Sequence, residues 1–240
     1  MLTRRALTGG TAASLLASPV IARQEAVGEP VTYESGRASI RAAVYRPAGG
    51  GRGAGIAFMH GSGGVGPAYL RLARQFAAEG YVVIVPVYYD AAPDDGVRPE
   101  PVMNAWRQAA SDAVGWLIED GLPAERVGLM GYSLGAYVAV DSALGRSRAA
   151  AAVGVAGGWS VYAPRPPRRR IPVMILQAEQ DDHVPSAGTR RWVDHLRDAD
   201  VPVRLEVIRG ARHIMNPEQW DDVFRRSSQF FARNIGRPQG

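Results

Sequence analysis

Five short, nearly continuous apolar runs restrict this chain to very few folds: Ile56-Ala57-Phe58-Met59, Tyr81-Val82-Val83-Ile84-Val85, Val127-Gly128-Leu129-Met130, Ala151-Ala152-Val153-Gly154-Val155 and Val173-Met174-Ile175-Leu176. Each has the length of a strand, and a strand that is apolar on both sides must be covered on both faces. The intervening segments supply that cover. Val102, Trp106, Ala109, Ala113 and Leu117 recur at three- and four-residue spacing, which predicts an amphipathic helix with Gly121 as its stop. Residues 69–78, 186–197 and 219–234 predict three more helices, and 31–45 predicts an antiparallel hairpin ahead of the first run. Alternating strands and helices predict an α/β fold with a mostly parallel central sheet and helices on both faces. Residues 31–240 carry no internal repeat or break in composition and are expected to form one domain. In such sheets ligands bind at the carboxyl ends of the strands, so chemistry is sought there.

Residues 1–22 stand apart. Thr3-Arg4-Arg5-Ala6-Leu7 precedes an uncharged stretch from Ala6 to Ala22, and Val20-Ile21-Ala22 offers small or aliphatic residues for a signal peptidase. This predicts an export signal whose paired arginines resemble a twin-arginine leader, with the mature protein in the periplasm. Gly9-Gly10 and Pro19 interrupt the stretch, which makes it a poor permanent membrane span.

Composition removes several chemistries. All 28 basic residues are arginine, so no lysine is present to hold pyridoxal phosphate, reach a nucleotide phosphate or act as a base. There is no cysteine, which excludes a thiol nucleophile and Cys-based metal sites. The net charge of +5 includes Arg4 and Arg5, and the remainder is too small to argue for nucleic-acid binding. The arginine-rich run Pro164-Arg165-Pro166-Pro167-Arg168-Arg169-Arg170 reads as an exposed, solvated connection.

Gly131-Tyr132-Ser133-Leu134-Gly135 lies between the third apolar run and a helix beginning at Leu134. A serine in a tight strand-to-helix turn takes strained backbone angles, and glycines two residues either side remove colliding side chains. Ser133 is therefore the candidate nucleophile. A serine hydroxyl needs a base, and His213, in Gly210-Ala211-Arg212-His213 after the strand-like 204–208, is placed to serve. His195 falls within a helical pattern, His60 closes the first apolar run, and His183 reads as a rim residue. The histidine needs an acid to fix its tautomer, and Asp181 or Asp182, following the fifth run, can supply it. Serine, aspartate and histidine then follow the chain order of the α/β-hydrolase arrangement. Oxyanion donors are expected from the amide of Leu134 and from His60-Gly61-Ser62-Gly63-Gly64, with Ser62 favoured. Tyr88, Tyr89, Trp159 and Tyr162 are candidates to line the site.

Together these motifs resemble the dienelactone hydrolase-like branch of the α/β-hydrolases, from about Val31 to the C-terminus. The resemblance selects Asp181, four residues ahead of Pro185, and matches His213 to the family histidine. Two features depart from it: the loop after His60 has no glutamate, and Ile214-Met215-Asn216-Pro217 has no arginine. About 16 residues separate the fourth and fifth runs, too few for a lid domain. The resemblance implies a serine hydrolase acting on small esters or lactones, with no metal or organic cofactor. A serine peptidase of similar fold and a non-catalytic small-molecule binding protein are the alternatives.

Overall fold

The computed structural model describes residues 28–50, 53–159 and 163–237. The export signal expected over 1–22, and Tyr162, lie outside them. β1 (Glu29–Ser35) and β2 (Ala38–Tyr45) form the predicted hairpin. They are followed by β3 (Ala54–Met59), α1 (Pro67–Ala78), β4 (Tyr81–Pro86), α2 (Glu100–Glu119), β5 (Val127–Tyr132) and α3 (Leu134–Leu144). β6 (Ala151–Val155), β7 (Val173–Ala178), α4 (Ser186–Asp198), β8 (Val203–Ile208) and α5 (Pro217–Asn234) complete the order. The eight strands make one sheet in the order β1-β2-β4-β3-β5-β6-β7-β8, with antiparallel pairing confined to β1-β2 and β2-β4. The observed fold is thus α/β and mostly parallel, and the five apolar runs form its buried strands.

Alternation within those strands feeds two cores. Ala57, Met59, Leu129 and Ile175 face α2, α3 and α4 with Trp106, Val140 and Trp192, whereas Phe58, Met130 and Val153 face α1 and α5 with Phe76, Val223 and Phe231. Helix ends are set by local chemistry. α5 opens with a capping box, in which Asn216 accepts from the Gln219 amide and the Gln219 side chain accepts from the Asn216 amide. Pro217 follows at the first helical position, where its missing N–H costs nothing.

The arginine-rich segment is largely exposed, as expected, and departs from that expectation at Arg169. Arg169 is turned inward, and its Nη1 lies within hydrogen-bonding reach of the carbonyls of Ala143, Ser147 and Ala149 at the end of α3. Arg165 pairs with Glu100, and Arg170 donates to the Ala199 carbonyl. The segment is a strap on the helices, because returning chain places it beside carbonyls that a helix end leaves unsatisfied. No helix is inserted between β6 and β7 among the described residues. Nor is any described helix long and apolar enough to cross a membrane.

Candidate active site

The strand ends bring three distant segments together. β5 ends at Tyr132 and α3 starts at Leu134, leaving Ser133 as the whole connection, with φ 53° and ψ −118°. A non-glycine residue rarely takes a positive φ, and here the surroundings enforce it. The Ser133 amide donates to the Val155 carbonyl of β6 at 2.8 Å, and the Ser133 carbonyl accepts from Ala136 at 3.0 Å. A Cβ at Gly131 would overlap the Gly135 carbonyl, and one at Gly135 would overlap the His60 carbonyl. Gly131 is needed because the first turn of α3 folds back onto the end of β5, and Gly135 because that turn lies hard against the end of β3.

The Ser133 Oγ lies 2.9 Å from His213 Nε2. His213 Nδ1 lies 2.9 and 3.0 Å from the two carboxylate oxygens of Asp181. Asp181 Oδ1 also accepts from the amides of His183 (3.0 Å) and Val184 (2.7 Å), which fix the carboxylate in place. The side chains of His213 and Asp181 are 7% and 2% exposed, so the link is shielded from water. Asp182 points elsewhere: its Oδ1 lies 3.0 Å from His183 Nδ1, its side chain is about half exposed, and that bond holds its carboxyl below the usual range.

The other expected residues divide. Leu134 stands at the first position of α3, where backbone N–H groups have no partner within the helix. Ser62 is exposed in the β3–α1 loop, which the Gly64 amide closes by donating to the Gly61 carbonyl at 3.1 Å. Tyr88 does not line the site. It is fully buried, stacks under His60 with ring centroids 4.1 Å apart, and donates to the His60 carbonyl at 3.0 Å. Tyr89 holds the same loop from outside, its hydroxyl 3.1 Å from the Ser62 carbonyl and 2.8 Å from Asp94. Trp159 packs on α4, edge-on to His195 and under the Arg191 guanidinium, and lines a shallow cleft with those residues.

Three roles were not visible in the sequence. The Tyr132 hydroxyl donates a short hydrogen bond to the His213 carbonyl, tying the histidine loop to the turn that carries Ser133. Burial pushes that phenol well up, so it remains a donor. His60 is fully buried, and burial lowers it to about 4 despite the Gly61 carbonyl 2.8 Å from Nδ1. It is a neutral ring that supports the β3–α1 loop. His183, expected at a rim, lies flat on the His213 ring. The aromatic residue inside the pentapeptide is the one local signal for Tyr132; the contacts of the histidines depend on loops far apart in the chain.

Asp181, His183 and His213 bring ligand atoms within 4.8 Å of one another. Asp181 is already engaged by two amides and His213, and His213 Nε2 by Ser133, so these groups are committed to each other rather than to an ion. The arrangement can lift a proton from Ser133 and stabilise the resulting imidazolium.

The family model of the dienelactone hydrolase family matches residues 40–228. The chain belongs to the dienelactone hydrolase family. It is accordingly a hydrolase by family, and the match spans the strand ends that carry Ser133, Asp181 and His213. No curated protein matches the sequence significantly. Among solved structures, the chain is similar to a dienelactone hydrolase-like promiscuous phosphotriesterase from metagenomic libraries, at 15% identity over 88% of this chain and 99% of that one, with a TM-score of 0.75. A putative dienelactone hydrolase from Klebsiella pneumoniae subsp. pneumoniae is 20% identical, covering 86% and 98%, with a TM-score of 0.73. Thermogutta terrifontis esterase 2, phosphorylated by paraoxon, is 15% identical, covering 89% and 96%, with a TM-score of 0.72. At these identities the likeness establishes a shared fold.

Proposed function

We propose that this dienelactone hydrolase family member is a serine esterase that cleaves small esters or lactones through an acyl-enzyme on Ser133. The observation that carries this reading is the 2.9 Å approach of Ser133 Oγ to His213 Nε2, with Asp181 on the far side of the imidazole. Oγ attacks the ester carbonyl as Nε2 takes its proton. The amides of Leu134 and Ser62 hold the oxyanion, and Asp181 stabilises the imidazolium. Collapse of the tetrahedral intermediate expels the alcohol, which takes the proton from Nε2 and leaves the acyl group on Oγ. Water, deprotonated by the same nitrogen, attacks that acyl group. The second collapse returns the proton to Oγ and releases the acid.

Ile214, the residue after His213, is 76% exposed. No arginine stands in Ile214-Met215-Asn216-Pro217 to hold a substrate carboxylate, so this reading favours an uncharged substrate over a carboxylate-bearing dienelactone. Export is part of the proposal: residues 1–22 are read as a signal removed on passage to the periplasm. An N-terminus still beginning at Met1 in the exported protein would overturn that part.

The central test is Ser133→Ala. It is expected to lower kcat on p-nitrophenyl acetate by at least about a thousand-fold while leaving the circular dichroism spectrum unchanged. Because the esterase of similar fold is seen phosphorylated by paraoxon, paraoxon or a fluorophosphonate is the natural probe. The expected outcome is one adduct, on Ser133, absent from the variant. A folded, active Ser133→Ala protein would end the reading; an unlabelled, inactive wild type would favour a binding protein.

A further inference from the structure

The most unusual neighbour of the proposed base is another imidazole. The His183 and His213 rings are stacked, with centroids 4.6 Å apart and planes inclined by 25°. The inner side chain is 7% exposed and the outer one 61%, so His183 stands between His213 and solvent. Two anchors hold it there. Its amide donates to Asp181 Oδ1 at 3.0 Å, and its Nδ1 lies 3.0 Å from Asp182 Oδ1. One loop therefore supplies the acid that orients His213 and the ring that covers it.

We propose that His183 is a positioning residue for ester hydrolysis, acting through His213 by covering its ring and setting how readily that ring accepts a proton. The inference rests on the serine-esterase reading above. His213 must become an imidazolium in both halves of the reaction. A neutral aromatic ring against its face limits its rotation, excludes water and offers an electron-rich surface to the developing cation. A protonated His183 does the opposite, because it places a like charge within 5 Å of that cation. The other titratable groups facing the pair are Asp181 and Asp182 from the same loop, Ser133 at Nε2, and Tyr132, whose hydroxyl donates to the His213 carbonyl. None of these is a cation; Arg212, which precedes His213 in the chain, is exposed and permanently charged, so His183 is the group stacked on the ring whose charge can change.

The experiment compares kcat, KM and their pH dependence for wild type, His183→Ala and His183→Phe with p-nitrophenyl acetate. Neither substitution removes the backbone amide on Asp181. His183→Ala is expected to lower kcat about three- to ten-fold with KM nearly unchanged, the size of effect an aromatic stack supports. His183→Phe is expected to restore kcat near neutral pH. In His183→Phe, which keeps an aromatic ring on His213 and removes the group that can carry the opposing charge, the acid limb of kcat/KM is expected to move to higher pH. A limb that stays in place, or a His183→Ala kcat within two-fold of wild type, would overturn the proposal. Ser133→Ala keeps the two readings separable: retained hydrolysis there removes the esterase assignment, whereas an inactive Ser133→Ala beside a wild-type-like His183→Ala removes only the role of His183.

Discussion

On the proposed mechanism Asp181 matters for the tautomer it imposes more than for its charge. As a carboxylate it accepts from Nδ1–H of His213, which leaves Nε2 with the lone pair that Ser133 requires. Asparagine in its place turns an N–H toward Nδ1 and moves the ring proton to Nε2, where it blocks the serine. Asp181→Asn is therefore expected to cost about 10⁴-fold in kcat. Asp182→Asn, whose side chain meets the outer histidine and the His213 backbone but not the His213 ring nitrogens, is expected to remain within about ten-fold of wild type, and steady-state kinetics on one ester separates the two. Composition alone leaves two adjacent aspartates equivalent. What distinguishes them is loop geometry: the amides of His183 and Val184 turn back onto Asp181, while Asp182 faces solvent. The position four residues ahead of Pro185 singles out Asp181 through the family resemblance, whereas the stack of His183 on His213 has no such pattern behind it.

Among the elements, the buried strands were the most legible, because being apolar on both sides leaves a strand no other place to go. The G-x-S-x-G turn was legible for a related reason: its glycines answer a collision between β5, α3 and β3 that any such connection meets. The arginine strap was not. Its side chains read as solvated until the end of α3 places the carbonyls of Ala143, Ser147 and Ala149 around Arg169. Hydrogen bonds to a charged donor are the stronger kind, and three buried acceptors lose their partner together. Arg169→Ala is expected to reduce stability by about 2–3 kcal/mol, read from urea midpoints at constant slope. Arg169→Lys is expected to recover only part, since an ammonium lacks the planar fork. Ser133 stands at the opposite end of α3, so kcat of the folded Ala variant is expected to stay near wild type. A loss of kcat without a loss of stability would contradict this division of labour along the helix.

Across the whole molecule, two buried groups give opposite dependences of stability on pH. His60, under the β3–α1 loop, is lowered by burial to about 4. Its neutral form is favoured on folding, so its contribution is complete above its unfolded value of 6.5 and is lost as pH falls toward 4. Asp141, paired with Arg107 between α2 and α3, is pushed up to about 6 because burial outweighs the guanidinium. Its protonated form is favoured on folding, so its contribution is complete below the unfolded value of 3.8 and is lost as pH rises toward 6. Each shift corresponds to something on the order of 3 kcal/mol, and the two windows overlap with opposite sign. Asp90 and Asp94, held low mainly by Arg41 and Arg98, titrate below that range and leave it undisturbed. Glu100 is likewise held low and acts at the acid edge, so the wild-type protein is expected to keep nearly level stability between about pH 5 and 6.5. Asp141→Asn leaves Arg107 without its buried carboxylate above about pH 6 and replaces one neutral group by another below it. The slope carries the test: with the compensating group removed, stability of this variant is expected to fall steadily on acidification through that range. Denaturant titrations at four or five pH values read it directly, and parallel curves for variant and wild type would show that Asp141 does not titrate between its unfolded value and 6.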